Sequence, residues 1–147
     1  MKLSRLKIGN SDLPFRIDYN VLEILEDEYG TVERFQMALI GFRWKRGEDG
    51  AFIKDDEGRP VPEVTTPSIK ALKLALTAMV NEGLKAEAYE QKKEYIPMDP
   101  DAIIMECEID RNYLTELITE ELERCQRVKK PIPGGAGKSR KRSTTPG

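Results

Sequence analysis

The sequence contains no histidine among its 147 residues. Histidine is the side chain that titrates unaided near neutral pH, and it is the commonest metal ligand in proteins. Its absence excludes Ser/His/Asp and Cys/His catalysis and histidine-ligated zinc. No other residue set in the sequence supplies the chemistry that is lost with histidine, so we expect a non-enzymatic protein with no metal ion and no cofactor.

Cysteine and long apolar runs are also scarce. Cys107 and Cys125 are the two cysteines, too few for a disulfide-built domain, and they form no CxxC pair of the kind that holds zinc. We interpret them as thiols in a reducing cytosol. There is no run of 18 apolar residues, and the first residues alternate instead of forming an apolar stretch. The sequence thus predicts neither a membrane span nor a signal peptide.

The near-neutral net charge of −2 hides an uneven distribution. All 26 acidic residues precede Lys129, and six of the 24 basic residues follow Val128. Residues 1–128 therefore combine 18 bases with 26 acids, a net charge of −8, whereas residues 129–147 carry +6. Proline, glycine and basic residues dominate this tail and leave little to bury, so we expect it to be disordered.

The first 17 residues predict a β-hairpin. Leu6 and Ile8 alternate with polar residues before the turn-forming run 9–12, and Leu13, Phe15 and Ile17 alternate after it. Pro14 in the second arm favours a small ribbon packed on helices over a larger sheet.

Two helices follow this hairpin. Asn20 and Glu23 have the spacing of a capping box before a helix over 21–29, with Tyr19 and Ile24 placed as a hydrophobic staple. Gly30 is expected to end that helix in a left-handed conformation. Thr31 can cap a second helix, whose buried face is formed by apolar residues at i, i+3, i+4 and i+7: Phe35, Ala38, Leu39 and Phe42.

The middle of the chain predicts an irregular segment and then a long helix. Glycines and prolines in 43–65 break the periodicity, so this range is expected to be an exposed loop, a weak hairpin or an insertion. Thr66-Pro67 predicts the start of a helix over 67–82 that extends past Gly83 to Lys93 in the longer interpretation. Its buried stripe, widened by Leu74, Ala75 and Ala78, places it at the centre of the fold: Ile69, Leu72, Leu76, Met79 and Val80.

Asp99-Pro100 and Asp110 predict the starts of two more helices. The last helix has a stripe from Leu114 to Cys125, and four glutamates are expected to fill its outer face: Glu116, Glu120, Glu121 and Glu123. We predict a mostly α (α+β) domain over 1–128, in which an N-terminal β-hairpin precedes about five helices around a long central one, and a basic tail over 129–147.

Three surface features are candidates for binding. Phe42, Trp44 and Phe52 lie near one another in sequence and form a candidate aromatic anchor for a partner; the alternative is that the loop folds back and buries them. Gly134 to Ser139 end like a phosphate-binding loop, but Ile132 replaces the first glycine and no strand precedes it, so we reject that interpretation. The tail has four clustered cations, which are candidates for weak, non-specific contact with nucleic acid: Lys138, Arg140, Lys141 and Arg142.

The order of these residues resembles the small tail assembly chaperones of long-tailed bacteriophages and of prophages in Gram-positive hosts. The resemblance covers residues 5–42 and 67–127 and is carried by short motifs: Leu6-Lys7-Ile8-Gly9, Leu13-Pro14-Phe15-Arg16, Asp18 to Glu26, Glu28-Tyr29-Gly30, Leu72 to Leu76, and Met79-Val80-Asn81-Glu82-Gly83. Segment 43–65 and the basic tail depart from the family pattern.

The resemblance implies a helical, non-enzymatic protein of the host cytoplasm. Such a protein binds the tape measure protein, keeps it soluble, helps to recruit tail tube subunits, and is absent from the mature virion. Self-association is a further expectation. The competing hypothesis from the residues alone is a small regulatory or nucleic-acid-associated adaptor that uses the basic tail.

The family's genes are often read through by a ribosomal frameshift near the end. Gly137-Lys138 is compatible with a slippery codon run, so we predict that the tail lies at or beyond such a site. Codons without a slippery heptamer would contradict this hypothesis.

Overall fold

A computed structural model describes residues 3–129, which form five helices and two small antiparallel sheets. The elements in chain order are β1 (Ser4–Ile8), β2 (Ser11–Phe15), α1 (Tyr19–Tyr29), α2 (Val32–Ile40), β3 (Phe42–Trp44), β4 (Pro62–Val64), α3 (Ile69–Gln91), α4 (Pro100–Glu106) and α5 (Arg111–Lys129). This architecture confirms the predicted α+β class, with its N-terminal hairpin and helical body. The first residue of the predicted disordered tail, Lys129, belongs to α5, and residues 130–147 lie outside the described residues.

Strands β1 and β2 pair in antiparallel register, with Ser4 opposite Phe15 and Ile8 opposite Ser11. The turn is shorter than predicted because Ser11 and Asp12 already belong to β2, and Gly9 bends the chain with a φ of 59°. Alternate side chains of the ribbon point into the core: Leu6, Ile8, Leu13 and Phe15. Both strands are edge strands, which is why Pro14 fits in β2.

Helix α1 begins two residues earlier than predicted, and its cap is Asp18. The Asp18 carboxylate accepts hydrogen bonds from the backbone N–H groups of Asn20 and Val21 at 3.0 and 3.3 Å. The predicted Asn20 capping box is therefore wrong, because the Asn20 side chain donates instead to Glu82 on α3. Gly30 ends the helix at the predicted position with a positive φ of 86°, but its ψ of −42° differs from that of the left-handed conformation expected there.

Helix α2 begins with the predicted cap, since Thr31 Oγ1 accepts from the backbone N–H of Arg34 at 3.0 Å. It buries Phe35 and Leu39 as predicted. The predicted buried face of this helix wrongly included Phe42. Gly41 ends the helix with a φ of 96°, and Phe42 belongs to β3.

Helix α3 is the centre of the fold and contacts β2, α1, α2, α4 and α5. The longer predicted extent is confirmed at its C-terminal end, because the helix continues through Gly83 to Gln91. The predicted Thr66-Pro67 start is wrong: Ser68 is the cap and accepts from the N–H of Ala71 at 3.0 Å. Backbone hydrogen bonds from Thr65 to Gly41 and from Ser68 to Ala38 hold the preceding segment against the end of α2.

Asp110 caps α5 as predicted, and its carboxylate accepts from the N–H of Tyr113 at 3.2 Å. One glutamate of the predicted outer face is misplaced, because Glu121 is only 7% exposed. It accepts a hydrogen bond from the Ser4 hydroxyl and pairs with Arg124 at 3.0 Å. Glu121 thus joins the last helix to the first strand.

A single buried apolar cluster runs from Leu6 in β1 to Cys125 in α5. Its largest fully buried side chains come from the hairpin and from all five helices: Ile8, Leu25, Phe35, Leu39, Met79, Ile103, Ile118 and Leu122. Both cysteines are free thiols. The cluster shows that the hairpin is an integral part of the helical body.

Candidate binding surfaces

Residues 42–64 form a β-arm, which agrees with the hairpin alternative and not with an irregular loop. Strands β3 and β4 pair at its base, and isolated bridges join Arg46 to Phe52 and Lys54 to Pro60. At its centre, backbone hydrogen bonds run from Lys45 to Val61, from Val61 to Ile53 and from Ile53 to Lys45. These three bonds close a ring, so the arm is held together by its backbone although residues 51–60 are all exposed.

The arm brings the three predicted aromatic residues into one region with unequal exposure. Phe42 and Trp44 are half-buried and meet edge to face, with ring centroids 5.5 Å apart. Phe52 is 48% exposed, and the guanidinium of Arg46 lies 4.2 Å from its ring centroid. Neither a wholly exposed anchor nor a wholly buried cluster is formed.

Trp44 and Phe52 line a depression of about 550 Å³ between the arm and the outer face of α2. We call it the arm pocket, and its walls are aromatic, basic and acidic: Glu33, Arg34, Met37, Arg43, Trp44, Arg46, Phe52 and Glu63. Arg43 pairs with Glu63 at 2.8 Å. Arg46 donates to the carbonyl of Gly50 at 2.9 Å and has no carboxylate partner in residues 3–129.

A second surface follows α3 on the side that α1 and α4 leave open. Two adjoining depressions of about 510 and 320 Å³ share Leu74 and Thr77. We call the combined surface the α3 groove. Its apolar lining comes from α1, α3, α4 and the segment before α4: Ile24, Ile69, Leu74, Ala78, Tyr95, Pro100 and Ile104.

The sequence assigned Ile69, Leu74 and Ala78 to the buried surface of α3, but the helix is not enclosed on this side. Ile69 is 49% exposed and does not belong to the buried stripe predicted for α3. Ile24, predicted to form a hydrophobic staple at the start of α1, is 41% exposed. Leu74 and Ala78 are half-buried. The only signal for the groove in the sequence was that the apolar surface of α3 is wider than one buried stripe requires.

Lysines and a carboxylate pair frame the groove. Lys70 pairs with Glu28 at 2.6 Å, and this contact raises the pKa of the lysine above its ordinary value. At the other end, burial and a hydrogen bond to Asp18 raise the pKa of Glu82 above its ordinary value. Burial alone would raise the pKa of Asp18, but hydrogen bonds from Glu82 and from backbone N–H groups, together with the charge of Arg16, lower it overall. The hydrogen bond between these two carboxyl groups therefore favours the protonated form of Glu82, which donates to the Asp18 carboxylate.

An amide clamp fixes the segment that closes this end of the groove. Asn81 Oδ1 accepts from the backbone N–H of Met98 at 2.8 Å, and Asn81 Nδ2 donates to the Met98 carbonyl at 3.2 Å. The clamp holds the 92–99 segment near α3, with Tyr95 in the groove wall. Burial, and then the charge of Glu82, raise the pKa of Tyr95 above its ordinary value.

The four tail cations proposed as electrostatic contacts, Lys138, Arg140, Lys141 and Arg142, lie outside the described residues, so the adaptor hypothesis that depends on them stays a prediction. Within residues 3–129, no group of three or more Cys, Asp and Glu side chains is placed to hold a metal ion. In the same range, no helix has the length and apolar character needed to cross a lipid bilayer. Both described surfaces are suited to binding through apolar contact and charge.

Comparison of the chain with protein-family models, with curated proteins and with solved structures found no match. The proposals below therefore rest on the residues and their geometry, together with the resemblance described above.

Proposed function

We propose that this chain is a tail assembly chaperone of a long-tailed bacteriophage or prophage. In this proposal it acts without catalysis in the cytoplasm of the bacterial host, binds the tape measure protein, keeps it soluble and helps to recruit tail tube subunits. It would then be absent from the mature virion. The observation that carries the proposal is the α3 groove, an open apolar surface on a body rich in charge.

The groove has the dimensions and chemistry to take an amphipathic helix. From Ile69 to Lys85, helix α3 extends about 24 Å at about 1.5 Å per residue, which corresponds to roughly four turns of a bound helix. Apolar side chains form its floor, and Lys70, Lys73 and Lys85 lie in its lining. A helix that places apolar residues at i, i+3, i+4 and i+7 in such a groove buries the surface that would otherwise drive its aggregation.

The positions of the motifs that carry the resemblance also support this proposal. They form the hairpin, α1 and α3, and two of these elements are walls of the groove. The arm, which departs from the family pattern, does not line the groove. The part of the chain that resembles the chaperones is thus the part that we propose binds the client.

Co-expression with the tape measure protein of the same phage tests the function. The full chain should keep the client soluble and co-purify with it; an insoluble, unbound client would refute the proposal. Gene order offers an independent check, because we expect a tail tube gene before this gene and a very long tape measure gene after it.

A double variant tests the groove separately. Ile24→Glu with Ile69→Glu should weaken client binding about 30-fold or more, because each half-exposed isoleucine contributes about 1 kcal/mol on burial and each new carboxylate must be desolvated. Tyr89→Glu is the control for a new carboxylate on α3, since Tyr89 lies on the same helix, is 84% exposed and is outside the groove lining. If the double variant bound like the control, the groove would be the wrong site even though the chaperone function stood.

A further inference from the structure

The three lysines of the α3 groove are not equivalent. Lys70 is paired with Glu28 on α1 at 2.6 Å. Lys73 and Lys85 are exposed, and neither forms an ion pair or a side-chain hydrogen bond within residues 3–129. Their ammonium groups lie beside an apolar floor and have no partner in this part of the chain. They are therefore the two cations that the groove can offer to a bound molecule.

The two unpaired lysines lie on opposite sides of the groove floor. Leu74 and Thr77 form the part of this floor that both depressions share. Because α3 turns by about 100° per residue, Lys73 lies about 40° to one side of Thr77. Lys85 lies about 20° beyond Leu74 on the other side, about 18 Å further along the helix axis than Lys73. A helix bound in the groove therefore meets one cation on each border of its apolar stripe.

Two carboxylates also line the groove, and their positions restrict where an acidic ligand is repelled. The Glu82 carboxyl group accepts a hydrogen bond of 2.9 Å from the Asn20 side chain and is hydrogen-bonded to Asp18, so it is directed towards α1. Asp101 belongs to α4 and forms no ion pair within the described residues. It repels a carboxylate on the α4 side of the groove, so an acidic residue is favoured on the α3 side, which carries the lysines.

We propose that the α3 groove selects a client helix whose apolar stripe carries an acidic residue on each border, about three to four turns apart. This inference rests on the client binding proposed above and specifies the segment that is bound. The tail of this chain is not the occupant, because residues 129–147 carry +6 and few apolar side chains. Apolar contact alone accepts many amphipathic helices, and the two lysines add the charge complementarity that distinguishes among them.

Fluorescence anisotropy with the full chain and three labelled synthetic peptides tests this selectivity. The peptides share an apolar stripe of leucine and alanine over about five helical turns. They differ only at the two border positions, which carry Glu, Gln or Lys. The Glu peptide should bind about three- to tenfold more tightly than the Gln peptide, and the Lys peptide more weakly, since each exposed ion pair changes affinity by only a few-fold. Near 0.5 M salt this preference should disappear. Equal binding of the three peptides at low salt, or binding of none, overturns the proposal.

Variants of the two lysines should remove the preference or reverse it. Lys73→Gln with Lys85→Gln should bind the three peptides equally, whereas Lys73→Glu with Lys85→Glu should prefer the Lys peptide. Both side chains are exposed, so the variants should keep the helical content of the natural chain in circular dichroism. An unchanged order of affinities in the reversed variant contradicts the role of the lysines.

Asp101→Asn should have the opposite effect on the Glu peptide. It removes a repelling carboxylate from the α4 side of the groove, so the affinity should rise about twofold. A weaker affinity would contradict the position that we assign to the acidic residues of the ligand.

Control variants separate the groove from a general charge effect. Lys7→Glu with Lys54→Glu changes the net charge as the reversed variant does, at exposed positions outside the groove lining, and should keep the preference for the Glu peptide. Ile24→Ala with Ile69→Ala should weaken all three peptides about tenfold, because it removes apolar contact without changing the charge. Undiminished binding to this variant would place the peptides elsewhere and overturn the proposal.

Co-expression with the tape measure protein distinguishes this inference from the function on which it rests. A client that is kept soluble equally well by the natural chain and by the reversed variant would refute the charge selectivity while client binding stood. A client that stays insoluble, together with the expected order of peptide affinities, would refute the chaperone function while the selectivity of the groove stood.

Discussion

Gly83→Ala should destabilise the protein although alanine is the better helix former. A Cβ atom at this position would lie 2.5 Å from both the carbonyl carbon and the oxygen of Pro14, and 2.7 Å from the nitrogen of Phe15. Ordinary carbon contacts are about 3.5–4.0 Å. Helix α3 and strand β2 would therefore have to separate by about 1 Å, and both obstacles are backbone atoms that cannot rotate away.

The magnitude follows from three contributions. Overpacking of this kind costs about 1–3 kcal/mol. Separation also weakens the hydrogen bond of 3.2 Å from Arg16 N–H to the Met79 carbonyl, a loss of about 1 kcal/mol. The higher helix propensity of alanine offsets about 1 kcal/mol. The free energy of unfolding should thus fall by about 1–3 kcal/mol.

Urea denaturation followed by circular dichroism measures this loss. With a slope of about 2 kcal/mol per M, the midpoint should fall by about 0.5–1.5 M. Lys85→Ala and Lys85→Gly form the control pair, since Lys85 is exposed on the same helix and their difference isolates propensity. If Gly83→Ala were as stable as the natural chain, or more so, the close approach of β2 to α3 would be refuted.

Three further substitutions test other parts of the structure. Tyr29→Phe removes a buried hydroxyl that has no hydrogen-bond partner within residues 3–129 and should raise the free energy of unfolding by about 0.5–1 kcal/mol; a lower free energy of unfolding in urea denaturation would indicate a bonded hydroxyl. The pKa of Glu82 is raised in the folded protein, so its bound proton stabilises the fold. This stabilisation is complete at a pH below the ordinary pKa of glutamate, and it is lost as the pH rises through the pKa of the folded protein. Glu82→Gln, which mimics the protonated form, should therefore raise the melting temperature at pH 7 and lose that advantage towards pH 4; an advantage independent of pH would contradict the pair. Asn81→Ala removes both hydrogen bonds to Met98, so it should cost about 1–2 kcal/mol and speed proteolysis within 92–99, whereas unchanged cleavage would show that the clamp does not hold this segment.

Several elements were predictable because their signals are local. Thr31 bonds to an N–H three residues away, and Gly30 adopts a positive φ where the first helix ends. Asp110 caps α5 in the same way. Capping geometry depends on a few neighbouring residues, so the sequence at those positions is sufficient to predict it.

The starts of two helices, α1 and α3, were predicted wrongly because two residues that can form a cap lie close together in the sequence. Asn20 and Asp18 can both begin α1, but Asn20 is drawn to Glu82, 62 residues away, which leaves Asp18 as the cap. Thr66 and Ser68 can both begin α3, but backbone hydrogen bonds to α2 delay the helix until Ser68. In each case a contact that is distant in sequence decided between local alternatives.

The sequence by itself determined the helical class, the N-terminal hairpin, most of the core and the position of the aromatic residues in the chain, since hydrophobic period and turn chemistry act over short distances. Only the tertiary structure decided that Glu121 is buried, that Gly83 is the point where α3 approaches β2 closely, and that the apolar residues of α3 divide between a core and an open groove. It also decided that the arm closes on its own backbone beside α2. These outcomes depend on which helices and strands pack against one another. Burial, steric clearance and charge pairing are determined by that packing and not by any single segment of the sequence.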